Sequence, residues 1–121
     1  LKHIDFTHPY NGELRKKIIR AASRKSIKVI TSGTYGVTQG PRLETASEIL
    51  RLAKDGCNIV GMTGMPEAAL AKEKDMPYAT ISVIVNAAAG LTNEELVLSD
   101  MLSVLSEGAK TCINILKAME D

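Results

Sequence analysis

Apolar and polar positions along this chain alternate between a helical and an extended period. Leu14, Ile18, Ala21 and Ala22 form one stripe at helical spacing, which predicts a helix over residues 11–25. Asn11 is its expected N-cap, and Glu13 falls in the first turn, where the macrodipole favours a carboxylate. Arg15, Lys16, Lys17, Arg20, Arg24 and Lys25 lie mostly off that stripe and read as a solvated face. Residues 27–30 alternate imperfectly and read as a strand. Residues 31–38 are β-rich, with Gly33 and Gly36 marking a bend or bulge. Leu43, Ala46, Ile49, Leu50 and Ala53 predict a helix over residues 43–55, closed by Gly56 at C′. Residues 57–62 read as a short buried strand, and residues 67–74 as a short alanine-rich helix stopped by Asp75 and Pro77. Residues 78–86 carry the strongest strand pattern, and the apolar centre from Ile81 to Val85 suits burial on both faces. Leu98, Met101, Leu102, Leu105, Ala109, Cys112, Ile113 and Leu116 keep a 3.6 period, which predicts one long helix over residues 93–121. Residues 91–99 also fit a loop. The alternation of strand and helix predicts an α/β fold with a mostly parallel sheet.

At 121 residues the chain is one domain at most. Residues 1–10 follow neither period. They read as a loop continuing from a preceding segment, as expected of part of a longer protein. A net charge of +1 leaves no electrostatic footprint for nucleic acid or an anionic membrane. Three tyrosines and one phenylalanine are too few for a base-stacking platform. No apolar run approaches the roughly 20 residues of a membrane span. No signal-peptide pattern is visible, so the cytoplasm is the expected compartment. Cys57 and Cys112 have no metal or CxxC spacing and read as buried free thiols of a reducing compartment. His3 and His8 lack zinc-ligand spacing, and no metal site is expected.

Three strand-end junctions carry the candidate chemistry. In residues 38–45 (TQGPRLET), Pro41 suits a first helical turn and Glu44 is a carboxylate early in a helix. Glu44 is either an acceptor for a small molecule or a residue that only stabilises the helix start. Met62 and Thr63 end the next strand, and Pro66 and Glu67 open the helix beyond it. Asn86 ends the third. Its amide offers a donor and an acceptor at the carboxyl end of a strand, where α/β folds place ligands. It equally fits a turn residue bonded to its own backbone before Ala87-Ala88-Ala89-Gly90. The Gly33-x-x-Gly36 spacing matches neither a P-loop nor a dinucleotide fingerprint.

GPRLET, then VGMTGMPEAALAKE, then a buried strand ending in Asn86 resembles the purine nucleoside phosphorylase and methylthioadenosine phosphorylase family, trimeric class. The resemblance runs from DFTHPY to the last helix, and its nearest branch is the bacterial methylthioinosine phosphorylases. It implies a phosphorylase/hydrolase-like fold: a central mixed, mostly parallel sheet flanked by helices, with a long C-terminal helix. Residues 1–121 would be the C-terminal half of a single nucleoside phosphorylase domain in a homotrimer. The implied reaction is attack of phosphate on C1′ of a purine nucleoside, with inorganic phosphate as co-substrate and no cofactor. Glu44 would accept from N1–H of a 6-oxopurine and Asn86 would bond N7 and O6. Met62 would lie against the ribose, and Thr63 would reach the phosphate or the ribose. Adenine-type members carry an Asp-x-Asp pair where this chain has Asn86-Ala87-Ala88, so Glu44 with Asn86 implies a 6-oxopurine.

Members acting on ordinary nucleosides carry a His near the start of the last helix. Residues 96–105 here have none. Met101, with Val97 nearby, would form an apolar wall that favours a 5′-methylthio group; plain helix-core packing also accounts for Met101. His3 matches a loop lining a neighbouring subunit's 5′ pocket, or is an exposed loop His. The expected substrate is 5′-methylthioinosine, with inosine or guanosine as the alternative within the family. The family's glycine-rich phosphate loop and its purine-stacking residues belong to an N-terminal half. This chain is therefore expected to be inactive without that half; the alternative outside enzymes is a fragment that only binds purine or a subunit.

Overall fold

The computed structural model describes residues 3–95 and 97–120. Leu1, Lys2, Leu96 and Asp121 lie outside them, and with them the start of the predicted opening loop, the end of the predicted last helix and the first residue of the 5′-pocket window. The chain divides into two compact units: Leu1–Val29, Gly64–Ser82 and Thr111–Asp121 form the first, Ile30–Thr63 and Val83–Lys110 the second.

The first unit is helical. Helix α1, Gly12–Arg24, starts where the sequence places it, with the Asn11 side chain accepting from Leu14 N at 2.8 Å. Its stripe ends in Ala21 and Ala22, both fully buried against Ile115 and Ala118 of the last helix. Alanine has no side chain beyond Cβ, so the two helices approach closely there. Ile18, Ile27, Val29, Ile81 and Met119 close the edges of this small core. Arg24 donates to the carbonyl of Ala118, a cation at a helix C-terminus that satisfies an orphan acceptor. The short helix Glu67–Glu73 buries Ala68 and Ala71, as its composition suggests.

The second unit contains a strand–helix–strand element. Strands β1, Tyr35–Val37, and β2, Ile59–Gly61, pair in parallel with Tyr35 opposite Ile59 and Val37 opposite Gly61. Helix α2, Ala46–Lys54, connects them and buries Ile49. It ends as predicted: Asp55 caps it and Gly56 takes φ +90°. Gly36 is neither bend nor bulge but lies inside β1. A Cβ there would meet Cys57 Sγ at 2.9 Å, so Leu52 and Cys57 close over bare backbone. Both cysteines are free, and they are half-buried rather than buried.

Three expectations change. Residues 27–30 and 78–86 carry no strand assignment among the described residues, because a strand exists through its ladder and only β1 and β2 pair. Nor is the segment 81–85 buried on both faces: Ile81, Val83 and Val85 are half-buried while Ile84 is 59% exposed. The last helix, Leu98–Ala118, begins near the end of the stretch that also fits a loop, and it buries a different face from the one its period predicts. Ile115 and Ala118 are buried and Met101, Gly108 and Cys112 half-buried, whereas Leu98, Leu102, Leu105, Ile113 and Leu116 are exposed. The helix is apolar on two sides, and the side with Gly108 permits the closest approach: Val83 sits where a Cβ of residue 108 would go. Among the described residues no helix is long and apolar enough to cross a membrane.

Candidate functional site

The carboxyl ends of β1 and β2 point the same way because the pair is parallel, and each delivers a polar segment to that end. Beyond β1, Thr38 N donates to Gly61 O at 2.8 Å and so continues the pairing by one residue. The Thr38 hydroxyl donates to Glu44 Oε1 at 2.6 Å. Beyond β2, Met62 packs under the bend: a Cβ at Gly40, whose φ is +64°, would meet Met62 Sδ at 2.5 Å. Tyr35 Oη lies 3.4 Å from both the backbone N and Oγ1 of Thr63. Glu44, Met62 and Thr63 are thus gathered at one strand end by Thr38, Gly40 and Tyr35. A hollow of about 260 Å³ opens beside Glu44, lined in part by Thr38, Gln39, Arg42, Glu44 and Arg51; Met62 and Thr63 do not line it.

The start of α2 differs from expectation. The helix begins at Ala46, so Glu44 is not in its first turn and Pro41 lies in a bend before it. The cause is a capping box: Thr45 Oγ1 accepts from Glu48 N at 3.2 Å, and Glu48 Oε2 accepts from Thr45 N at 3.0 Å. Capping falls to Thr45, which ends the bend and leaves Glu44 outside the helix, half-buried, facing Thr38. The Thr-x-x-Glu spacing of Thr45 and Glu48 is the signal in the sequence that marks this boundary. Arg42 adds a fork onto Glu48, at 3.0 and 2.7 Å. Hydrogen bonds from Arg42 and from the Thr45 backbone hold the Glu48 carboxyl well below the usual carboxylate range, at about 2.

Asn86 is half-buried in the second unit, and its Nδ2 donates to Ala87 O at 2.7 Å. That is the turn-forming role; the second N–H and Oδ1 remain for other partners. Its loop reaches the start of α2, since Gly90, at φ +79°, would place a Cβ 2.6 Å from Ala46 Cβ. The loops carrying Asn86 and Glu44 therefore meet at Gly90 and Ala46. Val97 and Met101 are joined by the first turn of the last helix, Met101 N donating to Val97 O at 3.2 Å; Met101 is half-buried and Val97 exposed. Neither is hydrogen-bonded to Glu44 or Met62. His3 is exposed and belongs to the first unit. Among the described residues no three His, Cys, Asp or Glu side chains gather as a metal site requires.

A parallel strand pair joined by a helix, with polar groups collected at its carboxyl ends, is the arrangement of an α/β fold. The chain belongs to the phosphorylase superfamily, whose family model matches residues 1–119. It is 49% identical over 104 residues to the "Probable S-methyl-5'-thioinosine phosphorylase" of Xanthomonas campestris, covering 85% of this chain and 42% of that protein. It is 40% identical over 116 residues to the "6-oxopurine nucleoside phosphorylase" of Pyrococcus furiosus, covering 96% of this chain and 44% of that protein. In fold it superposes on methylthioadenosine phosphorylase from Schistosoma mansoni, solved with adenine, at a TM-score of 0.92 and 24% identity, covering 98% of this chain and 48% of that one. The chain thus spans less than half the length of the relatives it matches.

Proposed function

We propose that this chain is the C-terminal half of a 6-oxopurine nucleoside phosphorylase, with 5′-methylthioinosine as substrate and inorganic phosphate as co-substrate. A phosphate oxygen forms a bond to C1′ while the bond from C1′ to N9 breaks and its electron pair passes to the purine. The departing base takes up a proton, which balances the one that hydrogen phosphate gives up, and the products are hypoxanthine and a ribose 1-phosphate. The protein supplies position and charge stabilisation and needs no further cofactor. Glu44 accepts from N1–H, and Asn86 donates to the N7 and O6 side where negative charge develops. Met62 lines the ribose and Thr63 reaches the phosphate or the ribose. Val97 and Met101 wall the 5′ group, and His3 reaches a neighbouring subunit of a homotrimer. The half-buried free thiols suit the reducing cytoplasm.

The observation that carries this reading is the half-buried Glu44 carboxylate, fixed by Thr38 beside Met62 at the strand ends. A carboxylate only accepts, so it pairs with the N1–H of hypoxanthine and opposes the unprotonated N1 of adenine. An unmatched buried group costs roughly 1–3 kcal/mol, which is about 5- to 150-fold in affinity. Calorimetric titration with the two bases checks this: hypoxanthine should bind at least about 10-fold tighter than adenine, and Glu44→Gln should abolish the difference. Equal or adenine-favouring binding would contradict it. The P. furiosus relative favours the second reading, an inosine or guanosine phosphorylase, which differs only in the 5′ pocket.

A further inference from the structure

We infer that Thr38 is a positioning residue that sets the purine selectivity of the site by holding Glu44 through its hydroxyl; the inference rests on the reading of Glu44 as the purine acceptor. Thr38 is itself fixed, because its backbone N–H extends the β1–β2 ladder onto Gly61 O at 2.8 Å. From that anchor Oγ1 reaches Glu44 Oε1 at 2.6 Å, while its other acceptor, Gly61 O, is 3.4 Å away. A carboxylate has no proton to give, so the hydroxyl must be the donor, and its single proton goes to the nearer, charged acceptor. Glu44 Oε2 receives no hydrogen bond from the described residues and is left for a ligand.

The chain just after Glu44 is held by the capping box of Thr45 with Glu48. Among the described residues the Glu44 side chain has no hydrogen-bond restraint apart from Thr38. It also has a competitor nearby: the Arg42 guanidinium, which is held above its usual range chiefly by its hydrogen bonds to Glu48 and by the Glu48 charge, also feels the charge of Glu44. Without the Thr38 hydroxyl, Glu44 is free to turn towards Arg42 or into water, and its acceptor leaves the strand ends. Thr38 need never touch the purine to act in this way.

The test is titration of hypoxanthine and adenine into the wild-type chain, Thr38→Val, Thr38→Ser and Glu44→Gln. Valine keeps the β-branched shape and removes only the hydroxyl, and unchanged thermal unfolding confirms that the strand survives. The expected result is hypoxanthine binding about 10-fold weaker in Thr38→Val with adenine binding unchanged, and recovery in Thr38→Ser. A crystal structure of Thr38→Val should show the Glu44 carboxylate displaced. Damage to structure alone would weaken both bases and would not be rescued by serine; that result overturns the inference. If Thr38→Val keeps wild-type selectivity while Glu44→Gln loses it, Thr38 has no such role and the reading of Glu44 stands. If Glu44→Gln also keeps it, or the wild type binds no hypoxanthine, the reading of Glu44 fails and the inference with it.

Discussion

Glu44 and Asn86 owe their places to different physics. Glu44 is set by the hydrogen bond from Thr38 to its carboxylate and by its place directly before Thr45, whose capping box with Glu48 fixes the start of the helix. Asn86 is set by its own turn, with one amide N–H committed to Ala87 O. Both stand out in the sequence as polar groups after β-rich apolar runs, because a lone carboxylate or amide beside an apolar run is visible as such. It hid Thr38, since a threonine in a β-rich run looks like ordinary strand until its hydroxyl is seen to face a carboxylate. Met101 carries a prediction at this scale. If it walls the 5′ group, Met101→His should move the ratio of methylthioinosine to inosine cleavage towards inosine by about 10-fold or more, since a buried imidazole rewards a hydroxyl and penalises a thioether. An unchanged ratio would place Met101 in helix packing alone. The pairing of Arg42 with Glu48 carries another. With the Glu48 carboxyl held at about 2, its contribution to folding is complete above the ordinary glutamate range and is lost as pH falls from there towards 2. Carbon-13 NMR titration should find that low midpoint, and Arg42→Ala should return it most of the way to ordinary values.

Elements whose ends are written in side-chain chemistry were legible. Asn11, Gly56, Asp75 and Thr45-x-x-Glu48 mark helix ends through caps, left-handed residues and a capping box. Pro41 competes with that box as a start signal, since it too suits a first helical turn, and taken alone it moves the expected start of α2 upstream and places Glu44 inside it. Thr45→Ala should therefore destabilise the chain by about 1 kcal/mol in urea unfolding. Elements defined by their neighbours were not legible. Residues 78–86 have every strand-forming residue type, yet a ladder needs a second strand, and no period along one segment supplies it. The last helix offered two apolar faces, and the choice fell to Gly108 and Ala118, the residues that let backbones approach. Gly108→Ala tests that choice. An exposed helical glycine would gain about 1 kcal/mol on this change, whereas here the methyl meets Val83, so a net loss of about 1–2 kcal/mol is expected in the same assay.

At the scale of the molecule, the chain matches less than half of each relative and leaves much apolar surface open. Ile30 is 93% exposed, and Leu98, Leu102, Leu105, Ile113 and Leu116 line an uncovered side of the last helix. Large exposed apolar side chains in this number mark a contact face. In the proposed half-enzyme, that face meets polypeptide equivalent to the part of the relatives that this chain does not span, and the same polypeptide brings the phosphate loop. The measurement that tests this most directly is hypoxanthine release from 5′-methylthioinosine, with and without phosphate. It is made on the chain alone and on the chain co-expressed with the part of the X. campestris relative that it does not match. The account predicts no release by the chain alone and phosphate-dependent release by the pair. Release by the chain alone, or a stable pair that binds hypoxanthine and releases none from the nucleoside, would contradict it.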